Sequence, residues 1–221
     1  MKRRFLISGT DTGVGKTTIA AGLAFSFQVR AMRVGVMKPV ETGCAERDGV
    51  LIAADAEALH GGAAAPYPLE LVCPFRYRAP LAPAMAAEAD GLAPPDFARI
   101  LEAYRQIDAQ SDVMIVEGAG GLAVPITWEK NYADLALGLN LELVLIVPNR
   151  LGSLNAAILS LDYAKRRGIE IAGYVLNDAD PGTSPAMETN AESLRRLTSI
   201  PCLGALKHKA PLNPEIAQRL L

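Results

Sequence analysis

The stretch Gly9-Thr-Asp-Thr-Gly-Val-Gly-Lys-Thr17 decides how this chain is read. It follows an apolar run at Arg4–Ser8 and opens a helical stretch at Lys16–Val29, the strand, loop and helix context that a phosphate-binding loop requires. In such a loop successive backbone N–H groups point into one concavity, and the helix dipole adds partial positive charge where phosphates sit. Gly13 and Gly15 let the backbone close in on a polyanion, Lys16 reaches the β- and γ-phosphates, and the Thr17 hydroxyl can ligate Mg2+. Gly13, Val14, Gly15, Lys16, Thr17 and Thr18 are therefore the candidate ATP contacts of the loop. The usual first glycine falls here on Thr10, with Gly9 one position earlier, so the loop is slightly longer than standard. An ordinary glycine-rich turn would not need the Gly-Lys-Thr-Thr run.

Working outward, aliphatic runs recur at Val34–Lys38, Val113–Glu117, Leu143–Val147, Ile171–Asn177 and Cys202–Leu206. Few alternate with polar residues, as expected for strands buried on both faces of a parallel sheet. Helical stretches at Pro95–Gln110, Ser153–Arg167, Pro185–Leu197 and Pro214–Leu221 separate them. Strand and helix in alternation predict a doubly wound, mostly parallel α/β sheet of the P-loop NTPase kind. The segment from Glu41 to Gly91 is punctuated by glycine and proline, and reads as an irregular insertion near the strand ends within a single domain spanning 1–221.

Half of the 221 residues are apolar and the formal charge is −2, so a sizeable core is expected and no broad basic footprint for nucleic acid or an anionic membrane exists. Cys44, Cys73 and Cys202 are widely spaced with no zinc pattern, which suggests reduced thiols in a cytoplasmic protein. Met1-Lys-Arg-Arg4 precedes too short an apolar run for an export signal, and Leu135 to Val147 is broken by Asn140 and Glu142, so no membrane span is expected.

Val113-Met-Ile-Val-Glu117 is a buried strand ending in a carboxylate, followed by Gly118, Ala119, Gly120 and Gly121. A strand-end acid in this place commonly supports Mg2+ opposite the loop threonine, and small residues leave room for backbone contact with a ligand. Asp55 reads by default as a helix N-cap. Asn177 and Asp178 close the fifth strand, where an amide can both donate to and accept from the adenine edge. The guanine-reading Asn-Lys-x-Asp pattern is absent.

These pieces together resemble the dethiobiotin synthetases. The elongated loop at Gly9–Thr17, Lys38-Pro-Val-Glu-Thr-Gly43, Val116-Glu-Gly-Ala-Gly-Gly121, Asp55-Ala, Arg150-Leu-Gly-Ser-Leu-Asn155 and Ala172 to Asp178 match that family's motifs in order across most of the chain. The resemblance implies that Thr17, Asp55 and Glu117 hold Mg2+, that Lys16 and Lys38 neutralise the transferring phosphoryl group, and that Asn177 reads adenine. It further implies that Thr12, Thr42 and Gly118 contact the diamine or its carbamate. Leu151, Gly152, Ser153 and Asn155 would take the substrate's distant carboxylate at a helix N-terminus reaching into a neighbouring subunit, hence a homodimer. The plain alternative for that segment is helix capping by Ser153 or Asn155.

The implied reaction joins 7,8-diaminononanoate, CO2 and ATP. Carbamate and triphosphate are both anionic, so two lysines and a divalent cation suit their approach. A cation at Lys38 would also disfavour the protonated substrate amine. The chain departs from the family in reading Gly204-Ala-Leu-Lys207 where Gly-x-Ile-Pro is usual. His60 and His208 read as surface residues without partners, and Cys44 as a packing residue. A ParA-like or MinD-like switch would need a second lysine early in the loop, where Gly9, Thr10 and Asp11 stand. Cobyrinate-type amide synthesis would need a glutaminase domain for which the chain has no room.

Overall fold

The computed structural model describes residues 2–221, and Met1 lies outside them. The chain opens with β1 (Arg3–Gly9), α1 (Lys16–Gln28) and β2 (Val34–Met37). The segment that follows holds β3 (Val40–Thr42), β4 (Ala45–Arg47), β5 (Val50–Ile52), α2 (Ala54–Ala63), α3 (Leu69–Val72), β6 (Phe75–Tyr77) and α4 (Pro83–Ala89). Then come α5 (Phe97–Asp108), β7 (Val113–Glu117), α6 (Tyr132–Leu139), β8 (Glu142–Pro148), α7 (Ser153–Arg166), β9 (Ile171–Asn177), α8 (Pro185–Leu197), β10 (Cys202–Leu206) and α9 (Pro214–Gln218).

Six strands form one sheet in the order β10-β9-β8-β1-β7-β2, every pairing parallel. All six expected strands are present. The central strand is buried on both faces, with Phe5, Leu6 and Ile7 fully enclosed, which is why its sequence is apolar without alternation. After β7 the chain crosses β1 to reach β8, so strand order reverses beside β1, and the crevice at that reversal opens at the carboxyl ends of the strands. The loop after β1, the end of β7 and the residues after β2 all lie on that edge.

The segment from 41 to 91 is more ordered than its glycines and prolines suggest. α2 packs on α1, with Ala56 and Leu59 fully buried, and the β3–β6 pair is parallel. The Tyr67 hydroxyl from the same segment accepts the Val36 N–H at 2.8 Å, closing the free side of edge strand β2. Helix α6 occupies part of the apolar stretch around Leu135, where the sequence suggested no helix. Its signal is present all the same, since Asn131 and Asp134 form a reciprocal capping box. α5 starts after Asp96, whose side chain accepts from Ala98 and Arg99 N–H, two residues later than expected.

Gly35 on β2 marks a close approach to α5. A Cβ there would overlap Met114 Sδ and Ser111 Oγ and come within 2.9 Å of Ile107 Cγ2. Gly35→Ala is expected to cost about 2 kcal/mol by overpacking, lowering the calorimetric unfolding midpoint by about 4–8 °C. An unchanged midpoint would show that Met114 swings aside without cost.

Candidate functional site

The phosphate loop is tied down on both sides of β1. Gly9 N–H donates to Gly120 O at 3.2 Å and Thr10 N–H to Ile146 O at 3.1 Å. Lys16 Nζ spans the loop to Asp11 O at 2.9 Å. Burial pushes the Lys16 ammonium pKa down, the Lys38 charge pushes the same way, and both make an incoming anion welcome. Gly15 adopts φ +92°, and a Cβ on it would overlap Asn177 Nδ2. That amide donates to Val14 O at 2.8 Å, so Asn177 holds the loop from beneath.

Opposite the loop, Lys38 Nζ lies 2.6 Å from Glu117 Oε1 and 2.7 Å from Asp55 Oδ2. Thr17 Oγ1 donates to the same Glu117 Oε1 at 2.8 Å. Burial works against the Lys38 ammonium, but the Glu117 and Asp55 carboxylates outweigh it and raise its pKa above the ordinary value. Glu117 is fully enclosed, and burial holds its carboxyl above the usual range despite Lys38. Burial also opposes the Asp55 carboxylate, yet Lys38 keeps its pKa low. Two ammonium groups thus face two carboxylates. Lys38 is consequently no isolated cation but is paired with both acids.

A cavity of about 660 Å³ joins these groups. Thr12, Gly13, Gly15, Lys16, Thr17, Thr18, Lys38, Thr42, Asp55, Glu117, Ala119 and Gly120 are brought together along it, and Pro80, Leu81, Ala82, Pro83 and Val124 add an apolar wall. Val14 is buried beneath the loop, and Gly118 packs under the Tyr132 ring, where a Cβ would lie 3.2 Å from Cδ1. Asn177 and Asp178 line a smaller cavity of about 140 Å³ at the ends of β8 and β9. Leu151, Gly152, Ser153 and Asn155 do not line the larger cavity, and Leu151 is 88% exposed.

Several default readings are replaced. Asp55 is not an N-cap: Ala53 holds that position, and Asp55 sits in the first turn of α2 with its carboxylate on Lys38. Neither Ser153 nor Asn155 caps α7, whose N-cap is Gly152 with no side-chain bond. His60 Nε2 pairs with Tyr67 O and His208 Nδ1 with Ala179 O, both at 2.8 Å, so neither histidine lacks a partner. Cys44 is buried with its thiol pKa pushed up to about 11 by burial, as a packing residue should be. Lys207, standing where the family motif differs, pairs with buried Asp178 at 3.0 Å.

Three residues at the site carry no signal in the sequence. Glu41 is buried against the start of α2, its oxygens accepting from Asp55 N–H and Ala56 N–H at 3.0 Å each. Asn149 Nδ2 donates to Asp178 Oδ1 at 2.8 Å, and Asn190 from α8 donates to Asn149 Oδ1 at 3.1 Å. No local pattern announces contacts that bridge elements so far apart in the chain.

Among the described residues no group of three or more His, Cys, Asp or Glu could hold a metal by itself. The Thr17, Asp55 and Glu117 oxygens are nonetheless the hard donors Mg2+ takes, and Glu117 Oε2 is buried without a partner. The residues fit the ion.

A glycine-rich loop after the central strand of a parallel sheet, with a loop lysine and threonine facing a strand-end acid, defines a P-loop nucleotide-binding protein. Solved structures agree on the fold: a ParA family ATPase from Chlorobium tepidum at 17% identity, covering 100% of this chain and 89% of that one with TM-score 0.53, and the cell division ATPase MinD of Pyrococcus furiosus at 16%, covering 100% and 98% with the same score. A family model described as an AAA domain matches residues 3–216. Curated relatives named ATP-dependent dethiobiotin synthetase BioD are 34% identical over 97% of this chain and 92% of the relative in Thermodesulfovibrio yellowstonii, and 39% identical over 98% and 93% in Anaeromyxobacter dehalogenans. The chain belongs to the ATP-dependent dethiobiotin synthetase family.

Proposed function

We propose that this chain, an ATP-dependent ligase of biotin synthesis, closes the cyclic urea of dethiobiotin from 7,8-diaminononanoate, CO2 and ATP. The observation that carries the reading is the Lys38 ammonium set between Glu117 and Asp55, in the same cavity as Lys16 and the loop amides. The apolar wall from Pro80 to Pro83 suits an alkyl chain with polar groups at its ends.

One amine takes up CO2 and releases a proton to give a carbamate. Its oxygen attacks the γ-phosphorus and displaces ADP, and the second amine then attacks the carbamoyl carbon and expels phosphate. Lys16 and the loop N–H groups hold the triphosphate, and Lys38 draws the carbamate oxygen toward it. Thr12 and Thr42 supply hydroxyls at the cavity wall for the amines. Thr17, Asp55 and Glu117 would hold Mg2+, which when bound offsets phosphate charge. Asn177 keeps one amide hydrogen and Oδ1 for adenine while its other hydrogen remains on Val14.

A second copy of the chain would bring Leu151–Asn155 to this cavity. That arrangement accounts for the exposure of Leu151, just before α7, and of Leu159 on α7, which is 60% exposed. No helix among the described residues is long and apolar enough to cross a membrane.

The decisive assay offers purified protein ATP, Mg2+, bicarbonate and 7,8-diaminononanoate and follows products by mass spectrometry. A product equal to the diamine plus CO2 minus water is expected, with one ADP formed for each. ATP turnover indifferent to the diamine but responsive to DNA or lipid vesicles would replace the ligase reading with a nucleotide switch.

A further inference from the structure

We propose that Glu41 is a positioning residue for the cation site, clamping the backbone of Asp55 so that its carboxylate stays opposite Glu117. The inference rests on reading Thr17, Asp55 and Glu117 as the seat of a divalent cation.

Helix α2 starts with free N–H groups, as every helix does, and Ala53 at its N-cap has no side chain to accept them. Glu41, fourteen residues upstream, supplies both acceptors: Oε1 takes Asp55 N–H and Oε2 takes Ala56 N–H, each at 3.0 Å. Strand β3 fixes Glu41 in turn through its pairing with Arg76 on β6. The commoner arrangement is a serine or aspartate at the N-cap itself, the place the fully buried Ala53 holds in this chain. Instead a third carboxylate stands 6% exposed in a cavity that already holds two, at a cost in desolvation and like-charge repulsion.

What that placement secures is geometry at the residue next to the bond. The Glu117 side chain is fully enclosed and cannot drift, whereas the Asp55 side chain is 40% exposed and touches Lys38 from the open side. Of the two acids, Asp55 needs an external hold. Gripping its own amide N–H leaves only two side-chain torsions between the clamp and the carboxylate.

The test is equilibrium binding of Mn2+, as a spin probe for Mg2+, to the ADP-loaded protein by electron paramagnetic resonance. Wild type, Glu41→Gln, Glu41→Asp, Asp55→Ala and the Glu41→Gln/Asp55→Ala double variant are compared. Glutamine keeps the volume but puts an NH2 group against one of the two N–H donors. Glu41→Gln is expected to weaken Mn2+ by about 10–100-fold, the range found for residues that orient metal ligands. Glu41→Asp, one methylene shorter but still anionic, is expected to fall between it and wild type. The double variant should bind no more weakly than Asp55→Ala alone, because Glu41 acts through Asp55. Wild-type Mn2+ affinity in Glu41→Gln, whatever its unfolding temperature, would overturn the proposal, as would losses that multiply in the double variant. If wild type itself held no Mn2+, or if Asp55→Ala held it unchanged, the cation-site reading would fall first.

Discussion

Lys38→Met is expected to lower turnover by about a thousandfold and to give the protein a stability that falls as pH rises. The loss of rate follows from removing a fixed cation from the point where carbamate and triphosphate would meet in the proposed reaction, an effect of that size in phosphoryl and acyl transfer. The stability effect follows from Glu117. Methionine fills the space of the lysine stem but leaves a fully enclosed carboxylate with only the Thr17 hydroxyl. An ionised acid stranded in this way costs about 3–5 kcal/mol unless it takes up a proton.

The direction of the pKa shift sets the sign. Glu117 already has a folded pKa raised by burial, and losing Lys38 raises it further. The unfolded chain titrates it near about 4.3. Below that pH both states carry the proton and the deficit is small. Above it the unfolded chain releases the proton while the folded chain retains it, so stability drops steadily until pH passes the folded pKa. Denaturant midpoints measured from pH 4 to 8 should show the gap to wild type widening with pH. A gap that stays constant would mean that another group neutralises Glu117.

Gly15→Ala is expected to weaken ATP binding by about 100-fold in calorimetric titration, through misplacement of the loop by a fraction of an ångström to an ångström. The φ of +92° costs a residue with a Cβ about 1–3 kcal/mol, and that Cβ would displace the Asn177 amide from Val14. Phosphate cradle and proposed base-reading residue meet at this one backbone position, so a single methyl group disturbs both. Binding at wild-type strength would show that the loop can flatten without loss.

The sheet was legible because its strands are buried on both faces, and continuous aliphatic runs such as Val113–Val116 suit neither a half-exposed strand nor an amphipathic helix. The phosphate loop was legible because its chemistry is local: glycines, lysine and threonine act within nine consecutive positions. Asp55 shows the limit. Its default reading was a cap, the resemblance pointed to a Mg2+ ligand, and only the structure shows its carboxylate on Lys38. The segment from 41 to 91 reads as irregular in sequence because its short elements draw their order from partners, β3 and β6 from each other and α2 from α1, not from periodicity within themselves. Glu41, Asn149 and Asn190 were invisible for the same reason, since each acts on backbone or amide groups brought close only by the completed fold.

The two lysines and the acids packed around them bear on the order in which ligands arrive. Asp55, Glu117 and buried Glu41 share the cavity with Lys16 and Lys38, so the negative charges of a bare nucleotide tail would meet three acids as well as the two amines. In the proposed reaction Thr17, Asp55 and Glu117 would hold Mg2+ brought with the nucleotide, and Lys38, no longer shared between both acids, would be free for the carbamate. On that reading the metal–nucleotide complex, not the bare nucleotide, is the ligand such a cleft would select.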